Sequence, residues 1–332
     1  MGEENYKYDF VSIGDITIDC FIKLEEFSVH ADRGKKEICL DFGEKIPYTE
    51  AVEIPAVGNS PNASVSASKL GLKSAVVTNL GRDMNGEKCL NSLKKDGVSV
   101  EFVRKHAGIK TNYHYVLRYE EERTILIKHE KYPYELPEMP AIKWLYLSSL
   151  GENSLPYHQK IAQWLGEHPE TRLSFQPGTF QIELGFEKLK PLYEAAGLFF
   201  CNKEEARKIL KTKEDDVKKL LKGIRGLGPK IAVITDGANG ASTYDGKEMW
   251  HMPMYPDPAP PVDRTGAGDS FSSTLTSFLA KGLPVQEALR RAPINSMSVV
   301  QYIGAQEGLL SKKKLEQFLE NAPADYKAIK IA

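Results

Sequence analysis

The most informative stretch of the 332-residue chain reads Asp263-Arg264-Thr265-Gly266-Ala267-Gly268-Asp269-Ser270-Phe271. Two glycines around one alanine lead directly into a segment with helical spacing. The N–H groups at a helix start point outward unpaired, and the helix dipole favours negative charge, so this loop suits a phosphate. Asp269, in the same turn, would lie where it can accept a proton from an attacking hydroxyl. The pattern is equally typical of a tight turn that Asp269 caps, so the stretch alone leaves both interpretations open.

Outward from this stretch, strand and helix patterns alternate along most of the chain. Runs of β-branched and aromatic residues predict strands over 8–18, interrupted at Gly14, and over 74–79, 144–147, 172–175, 198–200 and 231–235. Helical spacing predicts helices over 62–70, 86–96, 157–167, 186–196, 203–211, 214–223, 269–281, 285–302 and 311–321. Such alternation indicates an α/β fold in which helices cover both faces of a mostly parallel sheet.

Two regions depart from the alternation. Residues 20–57 contain short β-like pieces, 38–42 and 51–54, which predict a small β-element attached to the main fold. Residues 113–119 and 124–127 predict a hairpin whose connection, 120–123, is charged. A proline-rich stretch, 253–261, is expected to stiffen the approach to the glycine loop.

Composition and charge exclude several classes of protein. Lys and Arg number 44 and Asp and Glu 45, so the formal net charge is −1 at pH 7, which argues against a nucleic-acid partner. The four cysteines form no Cys-x-x-Cys pair, and the seven histidines show no zinc-binding spacing. No apolar run approaches the ~18 residues that cross a bilayer, and the N-terminus has no apolar signal core. We therefore expect a cytoplasmic protein that does not bind membranes.

The whole glycine-loop stretch resembles the C-terminal signature of the ribokinase-like (pfkB) carbohydrate kinase family, Asp-Thr-x-Gly-Ala-Gly-Asp-x-Phe. Arg264 stands where the family more often has Thr. The resemblance implies that Asp269 is the catalytic base and that Gly266, Ala267 and Gly268 form an anion hole for the transferring phosphoryl group. It also implies that Asp263 and Thr265 bind a monovalent cation, with K⁺ expected.

An N-terminal motif extends the resemblance to the acceptor. Gly58 and Asn62 match the family's Gly-Gly-x-x-x-Asn pattern, with Val57 in place of the first glycine. Asp19 closes Gly14-Asp15-Ile16-Thr17-Ile18-Asp19 and matches the acid that binds sugar hydroxyls in many members. The resemblance therefore implies that Asp19, Gly58, Asn59 and Asn62 bind the substrate. Taken alone, Asp19 could equally cap a strand end.

Two further motifs concern the nucleotide. Asn202-Lys203-Glu204-Glu205 resembles the family's Asn-x-x-Glu motif, and Thr235-Asp236-Gly237-Ala238-Asn239-Gly240 resembles its Thr-x-Gly-x-x-Gly segment. A late loop, Gly304-Ala305-Gln306, resembles the segment near adenine and the cation. The resemblance implies that ATP contacts Asn202, Thr235, Gly237, Gly240 and Gly268, and that Glu205 holds Mg²⁺ through water. Asn202 and Glu205 also have the spacing of a capping box, and both roles can hold together.

The matches run in family order along nearly the whole chain. They imply one domain over 1–332, a ribokinase-like doubly wound α/β/α sandwich with a small β-lid built from segments near 20–57 and 110–128. The implied activity is an ATP-dependent kinase that phosphorylates a hydroxyl of a small sugar, with pairing of lid edges into a homodimer as a further implication. One alternative is a nucleoside kinase in which Phe21, Phe42 or Tyr48 stacks on a base. Another is a catalytically silent nucleotide-binding regulator, which would have no chemical need to retain Asp269.

Overall fold

The computed structural model describes residues 6–24, 28–32, 35–119 and 122–332. The strands within these ranges are β1 (Tyr8–Ile13), β2 (Thr17–Leu24), β3 (Ser28–Asp32), β4 (Lys35–Cys39), β5 (Tyr48–Val57), β6 (Ser74–Gly81), β7 (Val103–His106), β8 (Asn112–Tyr119), β9 (Glu122–Leu126), β10 (Ile142–Leu147), β11 (Arg172–Phe175), β12 (Ala196–Asn202), β13 (Ile231–Thr235), β14 (Ala241–Tyr244), β15 (Met249–Met252) and β16 (Ile329–Lys330). The helices are α1 (Asn59–Lys69), α2 (Met84–Lys95), α3 (Leu155–Glu167), α4 (Thr179–Leu184), α5 (Phe186–Ala195), α6 (Lys203–Leu210), α7 (Val217–Gly226), α8 (Ala267–Ala280), α9 (Val285–Val299) and α10 (Lys312–Glu320).

The main sheet has ten strands in the order β16-β15-β14-β13-β12-β11-β10-β1-β6-β7. The strands from β13 to β7 are parallel, and β14, β15 and β16 add an antiparallel edge. The strand order reverses at β1, because β6 and β7 lie on one side of it and β10 on the other. The sheet is therefore doubly wound, as predicted.

Helices cover both faces of this sheet because neighbouring side chains on each strand point to opposite sides. Phe10 packs on the face that contacts α1, α8 and α9, whereas Val11 and Ile13 pack on the face that contacts α3, α5 and α7. All three side chains are fully buried. The predicted α/β/α sandwich is confirmed. No helix in the described ranges is long and apolar enough to cross a membrane.

The parallel strands place several polar residues at one edge of the sheet. Asp15 follows β1, Ser149 follows β10, Gln176 follows β11, Asn202 ends β12 and Thr235 ends β13. Because these strands run in the same direction, their carboxyl ends meet at one edge, next to the point where the strand order reverses. Ligands of doubly wound sheets bind at this edge.

A second sheet has four strands in the order β5-β2-β8-β9. It draws on both predicted lid segments, and three residues separate β2 from the end of β1. The strands β3 and β4 form a separate two-stranded sheet. We call the four-stranded sheet the lid sheet; its function as a lid, and the assignment of the whole chain to one domain, stay predictions.

Some predicted boundaries are wrong for local reasons. The predicted strand 8–18 is two strands in two sheets, because the chain turns at Gly14. The predicted helix 214–223 begins only at Val217, because Asp216 caps it by accepting a hydrogen bond from the Lys218 N–H over 2.9 Å. The helix predicted over 285–302 ends at Val299, and the sequence patterns did not predict α4, β7, β14, β15 or β16. Arg123 lies in β9, and residues 120–121 of the predicted hairpin connection lie outside the described ranges.

Candidate active site

A cavity of about 660 Å³ lies between the carboxyl edge of the main sheet and the lid sheet. Eleven of the predicted site residues line it: Asp19, Gly58, Asn59, Asn62, Asn202, Glu205, Thr235, Thr265, Gly266, Gly268 and Asp269. Four predicted residues do not line it: Ala267, Asp263, Gly237 and Gly240. The structure thus brings together residues from distant motifs around one enclosed space.

Asp269 is the most tightly held acid in this cavity. It lies in the first turn of α8 and is only 7% exposed. Its Oδ1 accepts hydrogen bonds from Asn59 Nδ2 over 2.7 Å and from Gln176 Nε2 over 3.1 Å. Its Oδ2 accepts one from Asn62 Nδ2 over 2.8 Å. Three neutral amides therefore fix the orientation of one carboxylate.

Gln176 belongs to none of the sequence motifs, yet it is part of the site. Its Oε1 accepts hydrogen bonds from Ser272 Oγ over 2.7 Å and from the Tyr146 hydroxyl. Burial, and after it the Asp269 carboxylate, raises the pKa of Tyr146 well above its ordinary value, so the phenol remains a donor. This chain of bonds fixes the amide that faces Asp269. The available signal was a polar residue directly after the predicted strand 172–175, at the carboxyl edge of a parallel sheet.

The glycine loop packs against the late loop and leads into the start of α8. Gly266 has φ +79°, a left-handed conformation that favours glycine, and a Cβ at this position would clash with Ala305. Gly266 is the N-cap of α8, and Asp269 is the third residue of the helix. The alternative interpretation of Asp269 as the N-cap of a tight turn is therefore wrong. Gly268 differs, because a Cβ there would meet only Gln176 Nε2, at 4.0 Å. A side chain at Gly268 would therefore project into the cavity.

Asp263 lies behind this loop and joins it to the late loop. It is 3% exposed. Its Oδ1 accepts hydrogen bonds from the Thr265 N–H over 3.0 Å and from Thr265 Oγ1 over 2.7 Å, and its Oδ2 accepts one from the Gly304 N–H over 2.8 Å. Asp263 and Thr265, the predicted cation ligands, are thus hydrogen-bonded to each other, and Asp263 also contacts the late loop at Gly304.

The capping box at α6 is confirmed. Asn202 Oδ1 accepts a hydrogen bond from the Glu205 N–H over 2.9 Å, and Glu205 Oε2 accepts one from the Asn202 N–H over 2.8 Å. Burial raises the pKa of Glu205 above its ordinary value, and the charge of Asp269 adds to the increase. Thr235 lines the cavity next to this helix start.

Gly237 and Gly240 lie in the turn between β13 and β14, away from the cavity lining. Gly240 has φ +81°, and a Cβ there would clash with the Met252 carbonyl on β15. Close approach of a neighbouring strand therefore explains this glycine. The contact of both residues with ATP stays a prediction.

The lid sheet adds cavity residues that the motifs did not indicate. These are His114 on β8, Arg123 and Ile125 on β9 and, just beyond β9, Ile127 and His129. They come from strands with no recognisable motif, so only the pairing of β8 with β2 and β9 brings them to the cavity. No spacing within the sequence could have indicated them.

Comparison with known proteins identifies the family and the fold. The family model described as pfkB family carbohydrate kinase matches residues 8–313. A curated relative, the ATP-dependent 6-phosphofructokinase of Thermoanaerobacterium thermosaccharolyticum, is 24% identical over 318 residues, which cover 91% of each chain. Among solved structures, the nucleoside kinase of Methanocaldococcus jannaschii has a TM-score of 0.79 at 18% identity and covers 96% of this chain and 100% of its own. The Arabidopsis thaliana ribokinase, complexed with ribose and ATP, has a TM-score of 0.78 at 18% identity, covering 94% and 98%.

The fold and the match define a kinase with a ribokinase-like architecture. The chain belongs to the pfkB family of carbohydrate kinases. It is a phosphotransferase that uses an alcohol group as acceptor.

Proposed function

We propose that this kinase transfers the γ-phosphoryl group of ATP to a hydroxyl of a small sugar, with Asp269 as the general base. The position of Asp269 carries the proposal. A buried carboxylate faces the cavity from the first turn of a helix, directly beside the glycine loop. It can take the proton of the attacking hydroxyl while the helix start and the loop stabilise the charge of the phosphoryl group.

The hydrogen bonds to Asp269 indicate which oxygen takes the proton. Oδ1 accepts from two amides, which occupies both of its lone pairs. Oδ2 accepts only from Asn62 among the described residues and retains one lone pair. The acceptor hydroxyl would therefore donate to Oδ2, with its oxygen directed towards the phosphorus atom.

ATP as the donor is supported by the cavity and by a structural neighbour. The Arabidopsis ribokinase was solved with ribose and ATP. In this chain, Arg123 and Arg264 line the same cavity as Gly266 and Gly268. Their positive charge suits the phosphate chain of a nucleotide.

Glu205 fits a magnesium ion held through water. No group of three or more His, Cys, Asp or Glu in the described ranges could hold a metal alone. Mg²⁺ in kinases is bound by one or two carboxylates, waters and substrate phosphates, which matches a single cavity-lining glutamate. Oε2 is engaged by the Asn202 N–H, so Oε1 would accept from a metal-bound water. The ion would neutralise charge on the phosphates.

The Asp263 link fits a monovalent cation. Carboxylate and hydroxyl oxygens are the ligands that alkali cations prefer, and Asp263 Oδ2 has a lone pair left after its bond to Gly304. We propose that K⁺ binds between the two loops that Asp263 joins. It would hold the glycine loop in the conformation that meets the phosphoryl group.

A sugar acceptor is favoured over a nucleoside. The nucleoside alternative needs Phe21, Phe42 or Tyr48 to stack on a base. Phe21 is 2% exposed and packed, and Phe42 and Tyr48 are 104% and 60% exposed; none of the three lines the cavity.

A homodimer through the lid sheet is supported by Tyr115 and Leu126, which are paired in register and about half exposed. Light scattering tests this dimer.

The test is an ADP-release screen with ATP and magnesium over neutral sugars, sugar acids, sugar phosphates and nucleosides. Release with at least one acceptor, abolished in Asp269→Asn, supports the proposal. Calorimetry with ATP is run in parallel. Binding of ATP without ADP release from any acceptor would favour the silent regulator.

A further inference from the structure

Two histidines lie beside two carboxylates where the lid sheet borders the cavity. His114 Nδ1 is 3.2 Å from Asp19 Oδ1, and His129 Nδ1 is 3.5 Å from Asp15 Oδ2. The two imidazole rings are 5.3 Å apart between centroids. We call this set of four residues the imidazole wall. Of these four residues, only Asp19 is among the predicted substrate-binding residues.

Polar atoms of the imidazole wall are buried and lack hydrogen-bond partners among the described residues. They are Asp19 Oδ1, His114 Nε2 and His129 Nδ1. The contact between Asp19 and His114 is close but does not have the angle of a hydrogen bond. Buried polar groups are nearly always paired in folded proteins, so a ligand is the natural partner of these atoms. Asp19, His114 and His129 all line the cavity.

We infer that His114 and His129 are specificity-determining residues that bind hydroxyl groups of an uncharged polyol acceptor. The inference rests on the proposed function and narrows its substrate class. A hydroxyl donates and accepts at once, so it can satisfy a carboxylate oxygen and an imidazole nitrogen together. A phosphate or carboxylate group only accepts, so it would leave Asp19 Oδ1 unsatisfied.

The acids around the imidazole wall also disfavour an anion. Tyr134 donates to both oxygens of Asp15 over 2.9 Å each, and burial and the charge of Asp15 raise the pKa of Tyr134. Glu183 on α4 also lines this cavity. Asp15, Asp19 and Glu183 supply three carboxyl groups against two imidazoles. Acidic side chains therefore outnumber the histidines here, which disfavours an anionic ligand.

The cationic Arg123 lies away from the imidazole wall. It is opposite Arg118 in the β8–β9 pair, and Arg118 is four residues along β8 from His114, roughly 13 Å at strand spacing. Arg118 Nη2 also donates to the Val262 carbonyl, next to the glycine-loop stretch, over 3.4 Å. The Arg123 backbone is therefore roughly 13 Å from His114 along the strands, on the side where Arg118 contacts the segment before the glycine loop.

The test compares variants across the acceptor screen. His114→Phe and His129→Phe remove the ring nitrogens. His114→Gln and His129→Asn keep an amide near Nε2 and Nδ1, respectively. The control is His251→Phe, because His251 lies on β15 and does not line the cavity. KM and kcat are measured for the best wild-type acceptor and for its single-deoxy analogues.

We expect a neutral sugar to be the best acceptor. Each Phe variant should raise the acceptor KM roughly tenfold, the size of one hydrogen bond to a polar partner, with kcat and the KM for ATP nearly unchanged. The Gln and Asn variants should recover part of the lost acceptor affinity. For each histidine, the deoxy analogue that lacks the hydroxyl bound by it should have the same KM in the wild type and in the Phe variant. Unchanged acceptor KM in both Phe variants overturns the inference. A best acceptor that carries phosphate or carboxylate also overturns the inference, but it is still consistent with the kinase function. Absence of ADP release with every acceptor counts against the kinase function itself.

Discussion

Asn62 Nδ2 donates to Asp269 Oδ2 over 2.8 Å, which joins the start of α1 to the first turn of α8. The same side chain accepts a hydrogen bond at Oδ1 from Gln306 Nε2 over 2.9 Å, so its amide orientation is fixed. Asn59 donates to the other oxygen of Asp269. The N-terminal motif thus orients the proposed base in addition to lining the cavity. Through Asn62 it connects the glycine loop, which carries Asp269, with the late loop, which carries Gln306.

Asn62→Ala should lower both activity and stability. Loss of the bond to Asp269 should cut kcat roughly 10–100-fold, the range expected when a positioned group loses its orientation. The buried Gln306 amide loses an acceptor, which should cost about 1–3 kcal/mol of unfolding free energy. The control is Asn295→Ala, a buried asparagine that bonds Thr274 and Leu310 outside the cavity. It should lose stability with nearly unchanged kcat; equal kcat losses would assign only a structural role to Asn62.

Gly268→Val should fold and yet lose turnover. A Cβ at Gly268 has open space in front of it, so the added side chain enters the cavity where the phosphoryl group would approach the loop. We expect kcat to fall roughly 10²–10³-fold, as when an oxyanion donor is lost. The matched control is Gly226→Val, near the end of α7, where a Cβ also meets nothing within 4 Å. Calorimetry measures binding of the acceptor to the folded Gly268→Val variant, which should be retained. Loss of acceptor binding would show that the glycine loop contacts the acceptor and not the phosphoryl group.

Glu205 should make the magnesium requirement depend on pH. Its pKa is raised by burial, so the carboxyl becomes protonated as the pH falls through that raised value and no longer holds a metal-bound water. The half-saturating Mg²⁺ concentration of the wild type should therefore rise as the pH falls through the raised pKa of Glu205. Glu205→Gln should need more Mg²⁺ at every pH, with a weaker pH dependence. The control is Glu204→Gln, at the exposed neighbouring residue, which shows how much of the pH dependence comes from protonation of ATP. If the wild type and both variants had the same Mg²⁺ requirement at every pH, Glu205 would not bind the metal.

Potassium should stimulate turnover more than sodium. The larger ion is dehydrated more easily and suits a site built from carboxylate, hydroxyl and carbonyl oxygens. Rates in K⁺, Na⁺ and a bulky organic cation at matched ionic strength test this. Thr265→Val, which removes one oxygen ligand, should reduce the difference. Equal rates in all three salts would show that the direct bonds of Asp263 hold the loops without an ion.

The chemical motifs of this chain were predictable because each combines local backbone geometry with a local charge. The glycine loop with Asp269 and the capping box of Asn202 and Glu205 both depend on helix starts, which sequence signals mark well. The alternation of strand and helix patterns likewise predicted a mostly parallel sheet with helices on both faces. Local rules also explain the errors, since Asp216 moved a helix start that periodicity alone placed three residues earlier.

The rest of the site depends on contacts between distant segments. Gln176 reaches Asp269 only because β11 ends beside α8 in the folded sheet. His114 and His129 face the cavity through strand pairing in the lid sheet, and a one-residue change of register would turn His114 to the opposite side. Strand register is set by tertiary packing, so these residues carry no motif that a single sequence displays.

The central claim is that Asp269 accepts the proton during phosphoryl transfer. Asp269→Asn preserves the size of the side chain but turns one acceptor into an amide donor, which faces either the Asn59 or the Asn62 amide. A modest loss of stability, about 1–3 kcal/mol, is therefore expected in a protein that still folds and binds ATP. Thermal unfolding and calorimetry verify both properties before kinetics are compared.

The most direct measurement is single-turnover phosphoryl transfer from ATP to the best acceptor, in wild type and Asp269→Asn at saturating substrates. We predict a rate roughly 10²–10⁴-fold lower in the variant, the usual contribution of a positioned acid–base group, with ATP affinity retained. A folded, ATP-binding Asp269→Asn protein that transfers the phosphoryl group at nearly the wild-type rate would contradict the assignment of Asp269 as the base.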